Sequence, residues 1–115
     1  MDSPKKKVRI RLEYKVQYHN PIQVKAGDSV QVGRAESDYP GWLWCRSADG
    51  GEGWIAAELL SVQGGQCVVL RDYSAKELAV QVGDEVEIEE VCHGWGLVRN
   101  DRGELGWIPE SHIDM

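Results

Sequence analysis

Apolar and polar residues alternate in short runs along this chain, the period of strands with one buried face. Val30-Gln31-Val32 and Val86-Glu87-Ile88 follow this pattern. So does the N-terminal run in which Val8, Ile10, Leu12 and Tyr14 alternate with Arg9, Arg11 and Glu13, and which reads as an edge strand guarded by lysines. The same alternation turns Cys45 and Val98 toward a core. Ala26-Gly27-Asp28 and Val82-Gly83-Asp84 precede two of the strands as turns that need a positive φ. Residues 47–51 and 100–103 separate apolar stretches as tight hairpin turns. No window carries a long amphipathic helix, and residues 57–59 and 110–112 have room for one turn of 3₁₀ helix each. The fold class expected is all-β.

The chain is written twice. Residues 41–60, GWLWCRSADGGEGWIAAELL, align at an offset of 53 with residues 94–113, GWGLVRNDRGELGWIPESHI. VKAGDSVQV (24–32) aligns with VQVGDEVEI (80–88) at an offset of 56, so the first copy has three extra residues between these blocks. Tyr18 and Tyr73 match if the first copy is one residue shorter upstream. Length differences confined to the gaps between patterned blocks are those that surface loops tolerate. The expected organisation is a basic segment at 1–13, a first unit at 14–62 and a second at 66–115. Gly64-Gly65 serves as the short linker through which two small β-barrels pack.

Composition narrows the function. Acidic residues outnumber Lys plus Arg by 19 to 13, for a net charge of −6, which argues against duplex DNA and anionic membranes as partners. No apolar run is long enough to span a bilayer. No apolar stretch follows Lys5-Lys6-Lys7 as a secretory signal would require. Cys45, Cys67 and Cys92 match neither a disulfide framework nor a paired metal motif, so a reducing, cytoplasmic setting is expected. Residues 1–15 are basic, whereas Glu85, Glu87, Glu89 and Glu90 crowd one later strand. Five Trp and four Tyr with no Phe favour residues that combine an apolar body with a polar tip.

Four blocks in order resemble the Src-homology-3 (SH3) family. VLRDYSA (69–75) is similar to its ALYDY motif, ELAVQVGDEVEI (77–88) to its ELSFxxGDxIxV stretch, Gly94-Trp95 to its WW start, and GELGWIPESHI (103–113) to its GxxGxxPxNYV ending. Small bacterial-type proteins with two variant SH3 units are the most similar overall. The resemblance implies a groove for a proline-rich peptide in polyproline II form, whose extended backbone needs little further ordering. Carried over by position, it implies a ligand groove of Tyr73, Trp95, Trp107, Pro109 and His112 in the second unit. Glu77, with Glu89 and Glu90, replaces the family's acidic cluster. The implied secondary groove of the first unit is Tyr18, Trp42 and Trp54, with Ala56 and Leu59 at its proline and last tyrosine positions.

Cys92-His93 and His112 lack the third orienting group and oxyanion site of a Cys-His nucleophile, and lack the ligand set of a zinc site. The expectation is a protein with no catalytic residue, metal or cofactor, an adaptor module that binds a protein or peptide segment of proline-containing or basic character. The alternatives are a structural interaction protein whose grooves are filled by inter-unit contacts or by homo-oligomerisation, and a cell-wall-binding SH3 relative.

Overall fold

The computed structural model describes residues 6–17, 19–35, 38–63 and 66–114. The strands are β1 (Lys6–Ile10), β2 (Gln23–Val24), β3 (Ser29–Ala35), β4 (Trp42–Arg46), β5 (Glu52–Ala56), β6 (Leu60–Gln63), β7 (Gln66–Val69), β8 (Tyr73–Ser74), β9 (Glu85–Cys92), β10 (Trp95–Arg99), β11 (Leu105–Pro109) and β12 (Ile113–Asp114). The structure is all-β, and its 3₁₀ turns fall at Ala57–Leu59 and Glu110–His112, where the sequence left room for them. The pairing orders are β5-β4-β3-β7-β6 and β11-β10-β9-β1-β12, with β2-β8 as a separate ladder. Both five-stranded sheets are open in their pairing order.

The turns follow from local chemistry. Gly27 and Gly83 take φ of 93° and 91°, and the carboxylates of Asp28 and Asp84 accept the N–H of Lys25 and Gln81 at 2.9 Å in both repeats. His93 (φ 45°) and Gly94 (φ 87°) close β9 onto β10 as a two-residue turn with both φ values positive, the type matched to strand twist.

The compact units cut across the repeats. One comprises Met1–Gln17 with Glu77–Met115, the other Tyr18–Lys76. Each repeat places its first strand in the other repeat's sheet: β1 pairs with β9 and β12, and β7 with β3 and β6. The boundaries expected at 13/14 and 62/66 therefore differ from the spatial ones, and the chain passes between units after Gln17 and after Lys76. Gly64 and Gly65 lie outside the described residues. The strands flanking them pair with each other, from Leu60 with Val69 to Gln63 with Gln66, so this connection joins two strands of one unit. Nor is β1 an edge strand, since it runs between β9 and β12.

Backbone bonding does not distinguish exchanged from unexchanged pairing. Ile10 donates to Asp84 O at 2.8 Å and accepts from Gly83 at 2.9 Å, while Val69 donates to Asp28 O at 2.9 Å and accepts from Gly27 at 2.7 Å. Side-chain charge does distinguish them. Lys7 stands opposite Glu87 and Arg9 opposite Glu85, whereas the first-repeat positions equivalent to these acids are Gln31 and Ser29. The uncharged β7 meets the neutral start of β3, with Val68 opposite Ser29 and Cys67 opposite Val30. Exchange thus sets the basic strand on the acidic one, and each opposite-charge cross-strand pair is worth about 0.2–1 kcal/mol.

The two cores record the same exchange. Val8 and Ile10 pack with Leu78, Val80, Val86, Val98, Ile108 and Ile113, and Val69 packs with Ile22, Val24, Val30, Cys45 and Ile55. Cys45 is buried as its alternation required. Burial first, then neighbouring Cys67, pushes its thiol from 9.0 up to about 12. Because the folded value lies above the unfolded one, this stabilisation is complete below pH 9 and is lost as pH rises from 9 toward 12. An aromatic disulfide reagent at pH 8 is expected to leave Cys45 unmodified until the chain is unfolded, as peptide mass mapping would show. Modification of Cys45 in the native state at the rate of a free thiol would contradict its placement.

Candidate aromatic groove

Tyr14 reaches the groove through its strand bridge to Val80, with N–H to O distances of 3.0 Å in both directions. Its ring meets Trp95 edge-on, centroids 5.9 Å apart at 85°, and meets His112 edge-on at 5.6 Å and 90°. Trp95 opens β10 directly opposite Pro109 at the end of β11. His112 closes the second 3₁₀ turn and is held by a 3.0 Å hydrogen bond between its Nδ1 and Glu13 O. The result is a cluster of three half-buried rings, with Trp95 opposite a buried proline.

Of the residues assigned to this groove from sequence, Trp95, Pro109 and His112 lie together. Tyr73 lies in the other unit, where its hydroxyl donates to Trp54 O at 2.6 Å. The strand exchange is the reason: Tyr73 pairs with Val24 as Tyr14 pairs with Val80. Since Val24 and Val80 are repeat equivalents, Tyr14 is the counterpart of Tyr73, and the alignment of Tyr18 with Tyr73 is replaced. Tyr18 itself lies outside the described residues. Trp107 belongs to the same unit as Trp95 but is only 6 % exposed.

Glu77 is 7 % exposed, and its Oε1 accepts the Gln17 N–H at 2.6 Å. It thus ties the departing end of the first segment to the returning end of the second. Glu89 pairs with Arg99 at 3.1 Å. Neither carboxylate is presented bare to a ligand.

The equivalent place in the Tyr18–Lys76 unit is different. Trp42 is 3 % exposed and stands opposite Ala56, where the other unit has Pro109. The half-buried tryptophans there are Trp44 and Trp54, directly opposite each other on β4 and β5 with centroids 5.0 Å apart. The Arg34 guanidinium lies 5.2 and 5.5 Å from the two ring centres. Trp44 Nε1 donates to Glu52 at 3.1 Å, and hydrogen bonds from Arg46 hold the Glu52 carboxyl below the usual range. Sequence reading missed this ladder because Arg34 reaches Trp44 only through the irregularity in β3 between Val32 and Arg34. Strict alternation cannot place a residue beyond a bulge.

Residues 10–63 match the family described as the variant SH3 domain. Domains of this type are in general non-catalytic and bind proteins or peptides. Neither the curated proteins nor the solved structures yield a match. The matched span follows the first repeat, so its residues 10–17 and 18–63 fall in different compact units. No helix among the described residues is long and apolar enough to cross a membrane.

Proposed function

We propose that the chain is a non-catalytic adaptor module built from two SH3-like repeats, and that the Tyr14, Trp95, Pro109 and His112 groove binds an extended protein segment containing proline. The observation that carries this reading is the cluster of three half-buried rings from three separate stretches of chain, with Trp95 opposite the buried Pro109. A polyproline II segment suits such a surface, since its prolines pack on ring faces and its backbone is already extended. Even with the basic β1 in it, the unit holding this groove has 12 acidic residues against eight Lys and Arg, which favours basic residues in the ligand and faster association at low salt. At the other unit, the burial of Trp42 favours the structural reading, in which that groove is not used for an outside ligand.

Titration with a library of proline-containing, basic peptides, read by tryptophan fluorescence, tests the assignment. Removing a central aromatic anchor costs about 2 kcal/mol or more, roughly a 30-fold loss of affinity. Trp95→Ala and Tyr14→Ala are expected to lose at least that, while Trp42→Ala and Tyr73→Ala, if folded, stay near wild type. A larger loss from Trp42→Ala or Tyr73→Ala would move the site to the other unit.

A further inference from the structure

β1 occupies an interior position of its sheet, between β9 and β12. Withdrawing it uncovers the Glu85–Ile88 edge of β9 and removes the strand that β12 pairs with. An uncovered edge is a template for another strand, but the chemistry of this edge narrows the choice. Glu85 and Glu87 alternate with Val86 and Ile88, so the matching strand must alternate basic and apolar residues in complementary phase. Lys7, Val8, Arg9 and Ile10 have that phase, whereas β7 carries no charge to offer.

The β1 of a second copy would meet the same partners as the resident one: Glu87 and Glu85 across the ladder, Asp84 and Gly83 at Ile10, and His112 O at Arg11 N–H, 2.8 Å in this chain. Exchange between copies therefore sacrifices no contact within the unit. The two arrangements differ in the tether and in concentration, which is the general condition for low-cost strand swapping. The chain's own topology already sends β1 out of its repeat.

We infer that a second copy of this chain is a partner, and that the two copies exchange the segment from β1 through Tyr14. In the exchanged dimer Tyr14 of one copy stands beside Trp95 and His112 of the other, so each aromatic groove is built from two chains. The exchange rests on topology and charge. Only its consequence for ligand binding rests on the proposed function.

Charge-swapped full-length chains test it. One variant carries Lys7→Glu with Arg9→Glu, and the other carries Glu85→Lys with Glu87→Lys. Each alone opposes like charges across β1 and β9, both within one chain and in a homodimer. Mixed, unfolded and refolded together, they are matched at both interfaces only as a heterodimer. Native mass spectrometry is expected to show the heterodimer at roughly tenfold or more over either homodimer, with the preference shrinking as salt is raised. The chain with all four reversals is matched again within itself and should recover the wild-type monomer–dimer distribution. A mixture with no excess of heterodimer overturns the inference, and so does a four-reversal chain that fails to fold. Because the readout is mass, a failure here is distinct from a failure of peptide binding.

Discussion

Ile10→Ala will loosen the sheet of the second repeat while sparing that of the first. Ile10 is 1 % exposed and packs with Leu78, Val80, Val86, Val98, Ile108 and Ile113, all contributed by the later part of the chain. Truncating such a side chain typically costs about 2–5 kcal/mol, the lost transfer energy plus the cavity left behind. Its strand also carries the hydrogen bonds to Asp84 and Gly83, so the loss acts directly on the edge of β9. Amide hydrogen exchange should show protection falling in β9–β12 and holding in β3–β6. Were each repeat a self-contained unit, the same mutation would weaken β3–β6 and leave β9–β12 untouched. An equal fall in both sheets would also count against strand exchange as described.

Gly106→Ala should be nearly as damaging, for the opposite reason. A Cβ there would sit 2.7 Å from the backbone carbon of Glu77 and from the N and Cβ of Leu78, where the chain re-enters the unit. Backbone cannot rotate aside as a long side chain can, so β11 or the Glu77–Leu78 segment must shift. Overpacking of this kind costs about 1–3 kcal/mol, and the upper end is expected because the contact is with main chain. Gly53 faces a similar approach, 2.7 Å to Ala75 Cβ. The control is Gly103→Ala, which meets nothing within 4 Å and strains only a φ of 83°, at about 1–2 kcal/mol. Urea unfolding midpoints should rank Gly106→Ala below Gly103→Ala. The reverse order would mean that β11 does not press on the returning chain as closely as the structure has it.

The residues of the proposed groove were partly legible. Trp95, Pro109 and His112 follow one another within a single repeat, and their spacing on β10, β11 and the 3₁₀ turn is local. Tyr14 was legible as a strand residue but not as their partner, because its place depends on a crossing between repeats. Glu77 looked like ligand chemistry because it is acidic and lies in a loop-like stretch. Its burial and its bond to the Gln17 N–H appear only when residues 60 positions apart are brought together.

Local order fixes what the sequence alone determines here. Period-2 alternation set the strands and their inward faces. Gly-Asp pairs set two of the turns, and the doubled pattern set the likeness of the two sheets. What the tertiary structure decided is which copy of the first strand completes which sheet. The backbone hydrogen bonds are the same either way and the apolar residues are interchangeable, so alternation and motif order carry no information about that choice. The difference between the two pairings is the set of charges opposed across β1 and β9, a long-range pairing whose meaning depends on which strands become neighbours.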